Sequence, residues 1–563
     1  MFLSFDIRAI QRFIFGVPNL RCVIGASSLV ADFDREVAEY YEGKVIYVGG
    51  GSGMLLVDDT DVKATKTDLM DRAAKIGVDL RIGCAETFSE AKTSDKLYPY
   101  IPVEDSFAGF PCSMSGLLPV VKGSDHSWEK EDTVHALVGM RREASNTDVL
   151  GEQLIAEIRE ILLEMKIDLS DYELQFFKNV NIKGTEKNYR SQWDDGAIDQ
   201  RTLAVAGSAA LGFRNRWAVI AMDGNDAGRQ HQKAQSLIDD QNHSWQESHR
   251  TAWLKELSHT LKESTRKAFC IAAAKLIASW LPDLTKVKSK PPFVIDIEGR
   301  DKKTIVLPIR PLVIGGDDIV LLCHTAHAMQ FVQDLSAEFS EQCNSAGEQY
   351  KKESGFDLWP ASSNKLTISA GVLFTKNSYP LHAAIVYAES LLGSAKGRCR
   401  QSAKSQNPMP AAVDFDVVTD TLLDTPAARR KRELEFWDDD IGKLMVLTRR
   451  PYLLEVEGEG TLAELLETQK WLTKEPAFPR GLIASLMHYV AKPWSDRVQF
   501  FASHSLKHKE LADRFSEEKS DQLGIGWGDT GEERSTDLID AILLYEESIR
   551  DEQVTTGTED IGQ

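Results

Sequence analysis

Paired cysteines, long apolar runs and a surplus of positive charge are all missing from this 563-residue sequence. Its seven cysteines, Cys22, Cys84, Cys112, Cys270, Cys323, Cys343 and Cys399, are scattered and form no C-x-x-C. That pattern excludes a disulfide framework or a zinc ribbon and fits a reducing compartment, so no zinc is expected. No run of about 18 apolar residues occurs, and the N-terminal Met-Phe-Leu-Ser-Phe-Asp lacks a basic segment leading into an apolar one. A cytoplasmic protein with no membrane partner is expected. Lys and Arg total 66 against 86 Asp and Glu, a net charge of −20. A whole-surface attraction for nucleic acid is thereby excluded, and any contact with RNA or nucleotide must be local or made through partner subunits. The length exceeds what one core organises and predicts about three or four domains.

What is present centres on Arg310-Pro-Leu-Val-Ile-Gly315-Gly316-Asp317-Asp318-Ile-Val-Leu-Leu-Cys323. Two apolar β-type runs flank two glycines and two acids, which predicts a strand, a tight turn and a returning strand. The glycines supply the positive φ such turns require and let a triphosphate approach the backbone. Paired carboxylates at a hairpin tip suit a hard divalent cation, which takes one or two carboxylates plus phosphate oxygens. A solvated turn is the alternative, because Gly and Asp dominate turns.

The order of elements repeats. Strands are predicted at 3–7, 45–48, 54–57 and 80–84, with a helical stretch at Ile10, Phe13, Ile14 and Val17 that Pro18 ends and helices at 25–41 and 61–76. Gly49-Gly50-Gly51-Ser52-Gly53 forms the tip of the first hairpin. Later come a strand at 217–223, a helical region at 228–280, the acidic hairpin, a helix at 326–343 and a strand at 366–374. In the helix that follows, Leu381, Ala384, Ile385, Ala388, Leu391, Leu392 and Ala395 share a face, and Lys396 ends it. Strand, helix, hairpin, helix, strand, twice over, predicts an α+β fold with two ferredoxin-like modules, the second keeping the acids and the first having lost them. Further helices are predicted near 430–447, 461–473, 481–491 and 535–550.

In a ferredoxin-like sheet the first and third strands are antiparallel neighbours, which places Asp223 beside Asp317 and Asp318. Asp223 opens Asp223-Gly224-Asn225-Asp226-Ala-Gly, a turn into a helix whose N–H groups suit phosphate. Asp226 equally suits a helix N-cap. Three converging carboxylates repel unless a cation neutralises them. Two Mg²⁺ or Mn²⁺ ions roughly 3.5–4 Å apart would activate a hydroxyl and stabilise departing pyrophosphate, which is nucleotidyl transfer. Lys396 is the natural cation for the triphosphate, or else a charge complementing its helix dipole.

The Asp223-Gly-Asn-Asp strand end, the Val-Ile-Gly-Gly-Asp-Asp-Ile-Val hairpin, Ile-Ser-Ala-Gly-Val-Leu-Phe with the helix ending in Ala-Lys396, and Arg449-Arg-Pro-Tyr452 together resemble the large palm-domain subunit of type III CRISPR effector complexes. Phe-Asp-Ile-Arg-Ala-Ile-Gln11-Arg-Phe-Ile and the Gly49–Gly53 hairpin resemble that family's degenerate first palm, so the likeness runs from residue 1 to about 455. The resemblance implies a first palm at 1–95, a mostly helical inter-palm domain at 96–213, a catalytic second palm at 214–415, a C-terminal helical domain at 416–551 and a disordered tail at 552–563. It also implies conversion of ATP into cyclic oligoadenylate, with Asp223, Asp317 and Asp318 as metal-site acids. Lys396, Gly224, Asn225, Gly315 and Gly316 would meet one nucleotide, and Gly50, Gly51 and Ser52 the other. Implied partners are the effector's backbone and small subunits, with guide and target RNA reached through the complex. Two departures stand out: the sequence has no His-Asp dipeptide of the family's nuclease domain, and only Cys112 falls where the family often has a zinc-binding cysteine pair. A stand-alone cyclic nucleotide synthase and a silent scaffold subunit remain the alternatives. Diguanylate cyclase fits less well, because Ile319 follows Asp318.

Overall fold

The first module begins with β1 (Phe2–Ile7), α1 (Ile10–Phe15), α2 (Leu20–Tyr40), β2 (Val45–Gly49) and β3 (Ser52–Leu56). It closes with α3 (Val62–Ile76), β4 (Leu80–Ala85) and α4 (Phe88–Thr93). This computed structural model describes residues 1–93, 140–176, 216–239, 247–286, 294–295, 303–418, 424–454, 460–473, 480–503, 528–529 and 533–549, apart from 9, 18–19, 142–143, 146–147, 363–364, 377–378, 403–408, 494, 497–498, 501–502 and 537. The tail from 552, Cys112 and most of the segment 96–213 lie outside those residues. The sheet order is β2-β3-β1-β4, with β1 antiparallel to both neighbours. Leu3, Phe5 and Ile7 alternate along β1 and bury against Val30, Phe33 and Val37 of α2.

Two elements precede the second module: α5 (Val149–Glu164), where the sequence predicts a helix, and β5 (Tyr172–Phe176), where it predicts no strand. The module itself comprises β6 (Arg216–Gly224), α6 (Ala227–Asp239), α7 (Glu247–Lys286), β7 (Val294–Ile295), β8 (Lys303–Leu307), β9 (Ile309–Gly315), β10 (Asp318–Cys323), α8 (Ala328–Ser354), β11 (Ile368–Lys376) and α9 (Leu381–Ser402). Its core order β9-β10-β6-β11 repeats that of the first module, and β12 (Ala412–Val418), then β15 (Tyr452–Leu453), extend it beyond residue 415. β6 is apolar from Trp217 to Met222 because both faces are covered there. Ala218, Ile220 and Met222 enter one core with Phe331, Leu335 and Phe339 of α8, whereas Trp217, Val219 and Ala221 enter another with Ile14, Phe15, Val23 and the apolar face of α9. The second core joins the two modules. At Gly371 a Cβ would meet the Ala388 carbonyl at 2.1 Å, so α9 lies directly on β11 there.

Three expectations need correction. The helix of Lys396 continues to Ser402, whereas the region 228–280 is helical as expected, in α6 and α7. β5 pairs in parallel with β8, which also pairs with β7, so the inter-palm region contributes to a sheet as well as to α5. In place of a helix over 430–447, α10 (Pro426–Glu433) is followed by the hairpin β13 (Glu435–Asp438) and β14 (Lys443–Val446). Gly442, at φ +63°, closes the turn after a run of acids, a conformation that L-residues disfavour. β14 pairs with β17 (Glu533–Ser535), itself paired with β16 (Gly528–Asp529). The C-terminal region is therefore mixed. Its helices α11 (Leu462–Thr473), α12 (Arg480–Val490) and α13 (Leu538–Ile549) lie where expected. Among the described residues no helix is long and apolar enough to cross a membrane.

The Arg449-Arg450-Pro451-Tyr452 motif ties α13 to the second sheet. Asp540, fully buried, accepts from Thr448 Oγ1 at 2.8 Å, the Arg449 N–H at 3.1 Å and Tyr452 OH at 2.5 Å, and pairs with Arg450 Nε at 2.9 Å. Arg450 also donates to the Phe415 carbonyl at 2.7 Å. Removing one partner of such a pair leaves the other charge buried and uncompensated. Asp540→Ala is expected to cost about 3–5 kcal/mol in urea unfolding, with Asp540→Asn costing less.

Candidate active site

Antiparallel register brings three acids to one sheet edge. Met222 pairs with Ile319, so Asp223, one residue further along β6, stands across from Asp318 at the start of β10. Gly224 must lack a side chain, because a Cβ there would lie 2.6 Å from an Asp317 carboxylate oxygen. The Lys396 ammonium donates to the Asp223 carboxylate and, at 3.0 Å, to the Gly224 carbonyl. Lys396 thus neutralises an acid of the group, and the Gly224 carbonyl holds it there.

The remaining acids are poorly compensated. Desolvation first, and then the neighbouring Asp223 charge, push the Asp317 carboxyl up to about 6 and raise that of Asp318, although the Asp318 side chain itself is exposed on the cleft. Among the described residues no group of three His, Cys, Asp or Glu side chains is arranged to hold a metal ion, and Lys396 occupies the Asp223 side of the cluster. By donor chemistry the acids fit a hard divalent cation: oxygen donors only, and more negative charge than a single lysine offsets.

Asp317 and Asp318 open onto a cleft of about 460 Å³ that both modules line. Gly315 and Gly316 form its wall on one side, Gly50 and Ser52 face them from the first module, and α7 closes it with Leu254, Leu257 and Leu261. The two glycine tips nearly touch, since a Cβ on Gly315 would lie 3.5 Å from the Gly50 Cα.

Other expected nucleotide contacts sit elsewhere. Asn225, 2% exposed, directs its amide inward to Thr367 Oγ1 at 2.8 Å and Ser369 Oγ at 2.9 Å, and it clamps the end of β6 to β11 instead of facing the cleft. Gly51 also points away: its N–H donates to both oxygens of Asp34 at 3.1 and 3.2 Å, and a Cβ would strike Ile10 and Ile7. Asp226, at φ +65°, pairs with Arg229 at 3.1 Å at the start of α6. Sequence reasoning misses Asp34, whose carboxyl burial pushes up to about 7, and the cleft residues Asp6, Arg81, Lys92 and Lys262. Asp6 lies in the Phe5-Asp6-Ile7 motif but has no role assigned from it, and the others lie in no motif, so only the fold reveals them.

A ferredoxin-like sheet with paired acids on its hairpin and a third acid on the neighbouring strand is a palm domain. A family model described as Cas10/Cmr2, second palm domain, matches residues 216–404, so this part of the chain is similar to that palm. No curated protein matches the chain. Among solved structures, the Csm1-Csm4 cassette in complex with cA3 is similar over 97% of this chain and 69% of that chain, at 13% identity and a TM-score of 0.43. The same cassette in complex with cA4 gives the same coverage and identity with a TM-score of 0.40, and Csm1 from T. onnurineus gives them with a TM-score of 0.39.

Raised carboxyl groups make stability fall with pH. Between about pH 4 and 7 the folded protein holds protons on Asp317 and Asp318 that the unfolded chain has released, so stability declines as pH rises through that window. The melting temperature without metal is expected to be lower at pH 8 than at pH 5.5. Asp317→Asn with Asp318→Asn should flatten this dependence and raise the melting temperature at pH 8, and an unchanged slope would show that the pair is not strained.

Proposed function

We propose that the chain is a metal-dependent nucleotidyltransferase that converts ATP into cyclic oligoadenylate within a type III CRISPR effector complex. The observation that carries this reading is the convergence of Asp223, Asp317 and Asp318 beside a cleft whose opposite wall is a second glycine hairpin. The match of residues 216–404 to the Cas10/Cmr2 second palm supports the same class. Asp223, Asp317 and Asp318 would hold Mg²⁺ or Mn²⁺, which supplies Lewis acidity and lowers the pKa of the attacking hydroxyl.

The chain's own groups do the rest. Gly315 and Gly316 let phosphate oxygens approach the backbone, and the closely packed tips hold two nucleotides near one another and away from water. When the acids gain another counter-charge, Lys396 becomes available to the triphosphate. The cleft volume lies within the range of small-molecule sites. With a net charge of −20, contacts to guide and target RNA are made through the backbone and small subunits.

Incubation with labelled ATP and Mg²⁺ or Mn²⁺, with and without RNA-loaded partner subunits, tests the reading. Cyclic oligoadenylate and pyrophosphate are expected, falling to background in the Asp317→Ala, Asp318→Ala protein. Product that survives this change, or no product under any condition, would refute it.

A further inference from the structure

The two hairpin tips that meet across the cleft are built alike but held differently. Gly49 pairs with Ser52 as Gly315 pairs with Asp318, so Gly49-Gly50-Gly51-Ser52 corresponds position by position to Gly315-Gly316-Asp317-Asp318. Asp6, which pairs with Ser52, takes the place of Asp223. Gly50 and Gly316 share positive φ values of 61° and 63°, but Gly51 is also positive, at 76°, where Asp317 is not. Positive φ at both central residues of a two-residue turn suits the twist of the flanking strands and favours glycine at both. The first tip therefore carries no side chain that could fix it.

It is held from below instead. The Gly51 carbonyl accepts from the Ile7 N–H at 2.9 Å, and the Gly51 N–H donates to both oxygens of Asp34 at 3.1 and 3.2 Å. The Gly50 N–H turns to the same carboxylate. Packing alone gives no reason for an acid at this place. On α2, Val30, Phe33 and Val37 enter the core of the first module, and Asp34 stands four residues after Val30 and three before Val37, on their face of the helix. Burial opposes its charge, and the Gly51 N–H and the Lys262 ammonium of α7 offset part of that penalty. What the carboxylate secures is the position of Gly50, the residue that meets Gly315.

We propose that Asp34 is a positioning residue for the cleft: by holding Gly51 it keeps Gly50 against Gly315, and so sets the separation at which the two halves of the site face one another. The rate at which two bound molecules join depends steeply on how they are placed. A carboxylate that touches neither of them then governs the rate of joining and leaves the affinity for each nearly unchanged. This consequence rests on reading the cleft as a site of nucleotidyl transfer, whereas the contact between the tips does not.

Hydrogen exchange of the whole protein, followed by mass spectrometry, tests the contact, and steady-state kinetics test its consequence. In Asp34→Ala protein the amides of 49–53 should exchange about tenfold faster, the loss of one hydrogen bond to a charged acceptor, and those of 315–318 should quicken with them, while the amides pairing β1 with β4 keep their protection. Asp34→Leu, which fills the same space without an acceptor, should do the same. In both, kcat for joining ATP should fall about tenfold or more while the KM for ATP stays within about twofold. Asp34→Asn keeps an acceptor oxygen and should recover most of the protection and of the rate. Unchanged exchange at 315–318 in both variants, a wild-type kcat despite loosened tips, or a loss of protection throughout the first module in both would overturn the proposal. Loosened tips in a protein that yields no product under any condition would defeat the polymerase reading alone.

Discussion

Repulsion among Asp223, Asp317 and Asp318 is the constraint on which the rest of the site depends. The antiparallel pairing of β6 with β10 forces these carboxylates together, and the missing Cβ of Gly224 lets Asp317 come closest. A single ammonium, that of Lys396, offsets part of the charge. Desolvation at the cleft mouth and the Asp223 charge then raise the proton affinity of the other two acids, Asp318 among them although it is exposed. An arrangement that opposes folding at neutral pH yet sits at the mouth of a cleft is one whose balance a cationic ligand restores.

The cleft exists because the modules are fused through a common core. Ile14, Phe15 and Val23 of the first module pack against Trp217, Val219 and Leu373 of the second. This fixes Gly50 against Gly315, while Asp34 anchors the neighbouring Gly51 from beneath. On the far side, Arg450 and Asp540 join the C-terminal helix to the edge of the second sheet. The Arg449–Tyr452 motif therefore acts in architecture, at a distance from the acids.

Much of this is legible in the order of the residues. Apolar runs on either side of glycines reveal both hairpins, and the repeated element order identifies the ferredoxin-like pairing that sets Asp223 opposite the acid pair. The charged first-module residues are not legible. Arg81 and Lys92 look like ordinary surface charges until β4 and α4 bring them beside Asp6. Asn225 misleads because a polar residue in a glycine-rich turn suits phosphate as well as a buried clamp, and only its bonds to Thr367 and Ser369 decide between them. The hairpin of β13 and β14 reads as helix because the basic run at Arg429–Arg432 continues a helical pattern, and the turn at Gly442 breaks it only afterwards. β5 and β8 are five-residue strands far apart in the chain, so neither carries a local signal of the other.

On this account the acid cluster, and not its degenerate counterpart, takes the metal. Titration of Mn²⁺ into the protein with a non-hydrolysable ATP analogue, followed by electron paramagnetic resonance of the free ion, addresses it directly. Bound manganese should disappear when Asp317 and Asp318 are both changed to Asn and persist in the Asp6→Asn protein. Manganese binding that ignores the double change, or that is lost equally with Asp6→Asn, would contradict the account.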